Sequence, residues 1–348
     1  MKYSLVYTVV EKNLDFRSDT VTLPSEEMRK AAANSKIGDD VYGEDPTVNH
    51  LEEIATKIFD KEAALFVTSG TQGNAVSVLA QTHRGDEIIL ESRSHIYNGE
   101  VGGLAVLGGL MARTVVGERG WMKPEDVRAA IREENIHLPH TSLVCVENTH
   151  NASGGTPLTP KQMKADWDVA KEYDLGVHLD GARIFNASVA LGVDVKEISR
   201  YADTIQICLS KGLASPIGSL VVGPEDTLVK ARKYRKMLGG GMRQAGIIAA
   251  PGIIALTKMV DRLKEDHDNA KLLARGLEKM GIKILHPVET NMVYIDFSTI
   301  GWTPQDWTQA CNKLGWKTSA RHGNTRLCTH YGIEEEDIKK FIEGLNIK

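Results

Sequence analysis

The stretch Val177-His178-Leu179-Asp180-Gly181-Ala182-Arg183, with Ile207-Cys208-Leu209-Ser210-Lys211-Gly212 about 30 residues on, decides how this chain folds. Each piece is a short apolar run that stops at a polar residue next to glycine. Such a run reads as a buried strand. In open α/β sheets the ligand-binding residues sit just beyond the carboxyl ends of the strands, where Asp180 and Lys211 stand. A carboxylate there needs a partner, because desolvating it unpaired costs several kcal/mol. Either a neighbouring Arg or Lys fills that need, or the protonated nitrogen of a pyridinium ring does. Lysine is almost never fully buried alone. Lys211 therefore either snorkels to solvent or has lost hydration, which favours the nucleophilic amine of Schiff-base chemistry.

Upstream, Ser69-Gly70-Thr71-Gln72-Gly73-Asn74 follows the apolar run Leu65-Phe66-Val67 and opens a helical pattern. A strand, a glycine turn and a helix start aim several backbone N–H groups at one spot, with the positive end of the helix dipole behind them. A phosphate dianion suits that spot; a plain helix cap would use the same residues. No Gly-Lys-Ser/Thr follows, so this is not a Walker loop. An anion seat, an acid for a ring nitrogen and an amine for an aldehyde are the three groups that pyridoxal phosphate (PLP) needs. In this chain order they form the layout of fold-type-I PLP enzymes.

Outward from these motifs, apolar runs alternate with amphipathic stretches. Candidate strands are 64–67, 87–90, 112–115, 142–146, 177–179, 204–208 and 219–222; helical patterns cover 73–81, 99–106, 124–132, 160–173, 195–201 and 225–235. The alternation predicts an α/β domain with a mostly parallel seven-stranded sheet. The link between 208 and 219 is too short for a helical crossover, so its two strands are expected to run antiparallel. Past Gly239-Gly240-Gly241 come two helical patterns, 244–263 and 268–280, then a β-α-β-α order that predicts a small α+β domain. The expected division is an extension at 1–14, a large domain at 15–260 with an N-terminal arm at 15–46, and a small domain at 261–348. The alternation in 3–10 favours an extra strand.

Composition sets the limits. Hydrophobic residues make up 42% and charged residues 25%, with a net charge of −4. Without a basic block or interleaved aromatics, nucleic acid is not an expected partner. No run approaches the roughly 20 apolar residues of a membrane span, and the first residues lack a signal-peptide core. Four cysteines are scattered without metal or redox spacing, so no catalytic metal is expected and a reducing cytoplasm is the expected setting.

Five segments in register resemble the L-threonine aldolases, both the low-specificity and the L-allo-threonine kinds. They are Asp15-Phe16-Arg17-Ser18-Asp19-Thr20-Val21-Thr22, Gly38-Asp39-Asp40-Val41-Tyr42-Gly43-Glu44-Asp45-Pro46, Glu147-Asn148-Thr149-His150-Asn151, His178 to Arg183, and Leu209-Ser210-Lys211-Gly212. The resemblance implies an aspartate-aminotransferase-like fold and retro-aldol cleavage of β-hydroxy-α-amino acids to glycine and an aldehyde. It makes Lys211 the Schiff-base lysine and Asp180 the partner of the ring nitrogen, and gives the phosphate to Gly70, Thr71 and, across a subunit boundary, Arg243. His95 would stack on the ring. Ser18, Arg183 and Arg326 would bind the substrate carboxylate, with Asn148 and His137 nearby and Tyr42 reaching into a neighbour's site. A homotetramer with shared sites is implied. For the β-hydroxyl base the sequence leaves His95, His137 and a water open. Many relatives carry an aromatic residue where this chain has Gly99, which bears on substrate choice. The rival readings are another PLP lyase that β-eliminates, and a non-catalytic scaffold.

Overall fold

The computed structural model describes residue 12, residues 14–320 and residues 323–345; the strand expected in 3–10 lies outside them. The seven apolar runs form β1 (Ala63–Val67), β2 (Glu87–Glu91), β3 (Met111–Val115), β4 (Thr141–Glu147), β5 (Gly176–Asp180), β6 (Thr204–Cys208) and β7 (Ser219–Gly223). They make one sheet in the order β1-β7-β6-β5-β4-β2-β3. From β6 to β3 every pairing is parallel, while β7 runs antiparallel to both β6 and β1, as its short connection requires. Every residue of β2, β6 and β7 is buried, the pattern of strands covered on both faces by crossover helices.

The helices at Gly70–Gln81 and Pro160–Glu172 start where the sequence supplies a cap. Ser69 accepts the Gln72 N–H, and Thr159 forms a reciprocal capping box with Gln162. The expected helix at 99–106 is displaced, with only a short π-helical segment at Leu104–Gly108. A short helix, His95–Asn98, ends at Gly99, and Val101 and Gly102 take φ of 56° and 70°, left-handed values that a helix cannot continue through. The expected long helix at 244–263 stops at Lys258, and a separate one runs Leu263–Lys279. Three helices that the pattern did not reveal also form: Glu26–Ala33 packs on the helix at Gly246–Lys258, Pro46–Phe59 on β1 and β7, and Ile184–Leu191 on the helix at Leu263–Lys279.

A second sheet, in the order β10-β9-β8, comprises β8 (Lys283–Ile284), β9 (Met292–Asp296) and β10 (Asn324–Cys328). Its apolar cluster takes in Trp307, Trp316, Phe297 and Phe341, and also Phe16 of the N-terminal segment. Phe16 stacks on Trp316 with ring centroids 4.0 Å apart, so the arm is anchored in this core rather than lying loose on the surface. Trp307 is fully buried and stacks on Phe297 at 5.5 Å. Trp307→Ala is expected to destabilise the protein by roughly 3–5 kcal/mol through the cavity it leaves, read as a lower urea midpoint at unchanged slope.

Candidate active site

Strand register assembles the site's floor. Glu147 at the end of β4 lies opposite Asp180 at the end of β5, and Asp180 lies opposite Gln206 of β6. The Asp180 carboxylate is buried. Oδ1 accepts the Ala182 N–H at 3.1 Å and Oδ2 accepts Asn74 Nδ2 at 3.0 Å. The Gln206 amide, with its oxygen facing the Ile207 and Cys208 N–H groups, donates to Oδ1 at 3.1 Å. A carboxylate offers about four lone-pair directions. Three neutral donors leave one vacancy, on Oδ2, and among the described residues no cation bonds to it.

Asn74 ties this acid to a second one. Its Nδ2 also donates to Glu100 Oε1 at 2.9 Å, while its Oδ1 lies 3.0 Å from His178 Nε2. An amide oxygen only accepts, so the proton of His178 is on Nε2. Nδ1 then accepts the Thr204 hydroxyl at 2.8 Å, and Thr204 in turn accepts Gln81 Nε2 at 2.8 Å. Burial pushes His178 down to about 4, and this row of hydrogen bonds needs the neutral ring.

His95 sits above the acids, half-exposed, with Nδ1 3.2 Å from Glu100 Oε1. The Glu100 hydrogen bond raises its pKa against the effect of burial, helped by Asp180. The buried Glu147 carboxylate anchors this segment, accepting the His95 N–H at 2.6 Å and the Asn151 N–H at 2.7 Å. Asn151 Oδ1 in turn takes Arg326 Nη1 at 2.6 Å, and Arg326 Nη2 donates to the Arg17 carbonyl at 3.0 Å.

The N-terminal segment closes the opposite side. Arg183 grips the fully buried Asp19 through Nε and Nη2, both at 2.7 Å. Burial opposes the Asp19 charge, but Arg183 more than offsets it, and Lys211 and Arg326 add to the effect, so the carboxyl lies well below the usual carboxylate range. The Nε–Nη2 edge of Arg183, a residue the resemblance gives to the substrate carboxylate, thus holds the arm. Ser18 caps the following turn, accepting the Thr20 N–H at 3.2 Å. The Thr22 hydroxyl donates to the Lys211 carbonyl at 2.9 Å, fixing the loop that carries the half-buried Lys211.

At the helix start, a Cβ on Gly70 would lie 2.8 Å from Cys208 Sγ; glycine alone lets the helix reach the end of β6. Ser69 and Thr71 are exposed there, and the first-turn N–H groups have no partner within the helix. This donor set fits pyridoxal phosphate: an anion seat, one open lone pair on Asp180 for a ring N–H, and an amine at Lys211 on the adjoining strand end.

Other expected residues are placed differently. Asn148 is fully buried, and its amide is engaged at both ends with Leu158, at 3.0 Å each, which shapes the following loop. His137 is exposed before the start of β4, with its N–H on Asn135, at the end of that strand away from Glu147 and Asp180. Tyr42 is 74% exposed, and Arg243 pairs with Asp39 at 3.1 Å on the same surface. The sequence reading missed Asp19, Asn74, Glu100, Glu147, Asn151 and Gln206. Asn74 alone carried a local signal, being a polar residue inside a helix where asparagine is unfavourable.

Sheet order, the antiparallel β7 and the strand-end acid and lysine define the fold-type-I PLP architecture. The chain overlays a threonine aldolase structure from Leishmania major with a TM-score of 0.83 over 95% of its length and 98% of the other chain, at 21% identity. Residues 15–299 match the family described as Beta-eliminating lyase, and the chain belongs to that family. It is 46% identical to the low-specificity L-threonine aldolase 1 of Arabidopsis thaliana over 83% of its own length and 82% of that protein. It is likewise 46% identical to the low specificity L-threonine aldolase of Escherichia coli K12, over 81% of its length and 84% of that protein.

The depressed His178 has a consequence for stability. The unfolded chain takes up a proton below pH 6.5, whereas the folded chain resists it until about pH 4, so stability falls as pH drops through that window. At 1.36 kcal/mol per unit the loss is on the order of 3 kcal/mol. The drop in urea-unfolding free energy between pH 7 and pH 4 is expected to be smaller in His178→Gln; equal drops would contradict the assignment.

Proposed function

We propose that this protein is a threonine aldolase, a PLP-dependent carbon–carbon lyase that reversibly cleaves L-threonine, L-allo-threonine and related β-hydroxy-α-amino acids to glycine and an aldehyde. The observation that carries the reading is the Asp180 carboxylate, buried with three neutral donors and one open lone pair beside Lys211. Relatives at 46% identity named as low-specificity L-threonine aldolases support it.

When bound, the cofactor supplies an electron sink for the pair released as Cα–Cβ breaks. Lys211 would hold its aldehyde, Asp180 its ring nitrogen, and the N–H groups of Gly70 and Thr71 its phosphate. Arg326, held by Asn151 and the Arg17 carbonyl, binds the substrate carboxylate with Ser18 beside it, and Arg183 supports both through Asp19. A fixed carboxylate orients the scissile bond. His95 takes the β-hydroxyl proton on Nε2, the ring atom that Glu100 leaves free. The working unit is a homotetramer in which Tyr42 and Arg243 complete a neighbour's site; their exposure on one surface, linked by the Asp40 N–H to the Arg243 carbonyl at 3.0 Å, supports this. Four free, buried cysteines suit a reducing cytoplasm. Among the described residues no helix is long and apolar enough to cross a membrane.

Incubation with all four threonine stereoisomers and phenylserine should release glycine and the matching aldehyde from the L-β-hydroxy acids. Pyruvate and ammonia instead would point to β-elimination and overturn the reading. Lys211→Ala should lose turnover almost entirely. His95→Asn should lower kcat about 10²–10⁴-fold. Arg326→Lys, which loses the planar fork, should act mainly on KM, by about 10–100-fold for a hydrogen bond to a charged group.

A further inference from the structure

We propose that Glu100 is a positioning residue that fixes the His95 imidazole by Nδ1 and makes Nε2 its basic atom, in a space that Gly99 keeps open. The proposal rests on the reading of His95 as the group beside the cofactor.

Three observations carry it. A carboxylate accepts, so its contact with Nδ1 at 3.2 Å places the imidazole proton on Nδ1 and leaves the Nε2 lone pair free. The carboxylate cannot easily follow the ring, because Glu100 is buried and its Oε1 is held by Asn74 at 2.9 Å, which His178 holds in turn at 3.0 Å. Finally, a Cβ at position 99 would lie 2.7 Å from both Nε2 and Cδ2 of His95. The Gly99 backbone, at φ −107° and ψ 0°, suits any residue. The constraint is therefore steric: with the ring where it lies, a side chain at 99 would crowd Nε2 and Cδ2 of His95.

Other groups also face the ring. Asp180 on β5 favours the charged imidazole and Lys211 after β6 opposes it, while Glu147 on β4 holds the His95 backbone N–H. Burial and the nearby Asp180 raise the Glu100 carboxyl, and His95 pulls it back. The Nδ1 contact decides which ring atom titrates.

The test is imidazole ¹⁵N and ¹³C NMR on the full-length protein, with and without bound PLP, with His95 assigned by its absence in His95→Asn. The wild type should show the Nδ1–H tautomer above its titration. In Glu100→Gln the midpoint should fall and the tautomer preference move toward Nε2–H. In Gly99→Ala the midpoint should fall likewise, and Glu100→Asp should restore part of the Glu100→Gln shift. The acid limb of kcat/KM should move to lower pH in step. An Nε2–H tautomer in the wild type, or an unchanged midpoint in Glu100→Gln, overturns the proposal; a merely structural Glu100 would move neither. Should Gly99→Ala not fold, the Glu100→Gln midpoint decides. Absence of aldehyde release alongside the expected NMR shifts would sink the aldolase reading and leave this one standing.

Discussion

A buried acid whose protein partners are all neutral governs this molecule. Asp180 ends a strand covered on both faces, and Ala182, Asn74 and Gln206 each contribute a donor without a charge. A desolvated carboxylate is costly unless it is paired and hydrogen-bonded. The fold supplies the hydrogen bonds and leaves the countercharge to a ligand. Much of the nearby architecture serves that arrangement. The Gly70–Gln81 helix must approach β6 closely enough for Asn74 to reach both acids, and Gly70 permits that approach.

The second constraint is the Asp19–Arg183 pair, which closes the site from the side. Asp19 meets Arg183 after β5 and, at 3.3 Å, Asn291 ahead of β9; Thr22 nearby holds the Lys211 carbonyl. One buried ion pair thereby joins the N-terminal segment, the large sheet and the second sheet. Removing one partner of such a pair leaves an uncompensated buried charge, which is far more damaging than the pair is stabilising. The pair also divides labour between two arginines. Arg183 holds the arm through Asp19, while Arg326 is held by an amide and a carbonyl, and among the described residues no carboxylate pairs with it.

The large sheet was legible because fully buried strands leave continuous apolar runs, and the reversal at β7 followed from connection length. Asp180, Lys211 and Gly70 were legible for a related reason: each breaks a strong local pattern at a strand end or helix start. The helices at Glu26–Ala33 and Ile184–Leu191 were not read; the first begins within a polar segment taken as an arm, and the second directly follows the Asp180 motif. Glu100, Glu147, Asp19 and Gln206 look like ordinary polar residues in sequence. Their roles depend on contacts that include long-range ones, such as Asn74 with Glu100 across 26 positions and Arg183 with Asp19 across 164, which no local pattern encodes. The contacts of Arg183 with Asp19 and of Asn148 with Leu158 were hidden for the same reason, since they are set by tertiary packing.

The central claim, that Asp180 and Lys211 share one cofactor, is tested most directly by chemical trapping. PLP-saturated protein should be reduced with borohydride, digested and mapped by mass spectrometry, in parallel with Asp180→Ala. The account expects a pyridoxyl adduct on the peptide carrying Lys211, and a much lower yield of it in the variant. Lys211 recovered unmodified, or an adduct confined to other lysines, would contradict it.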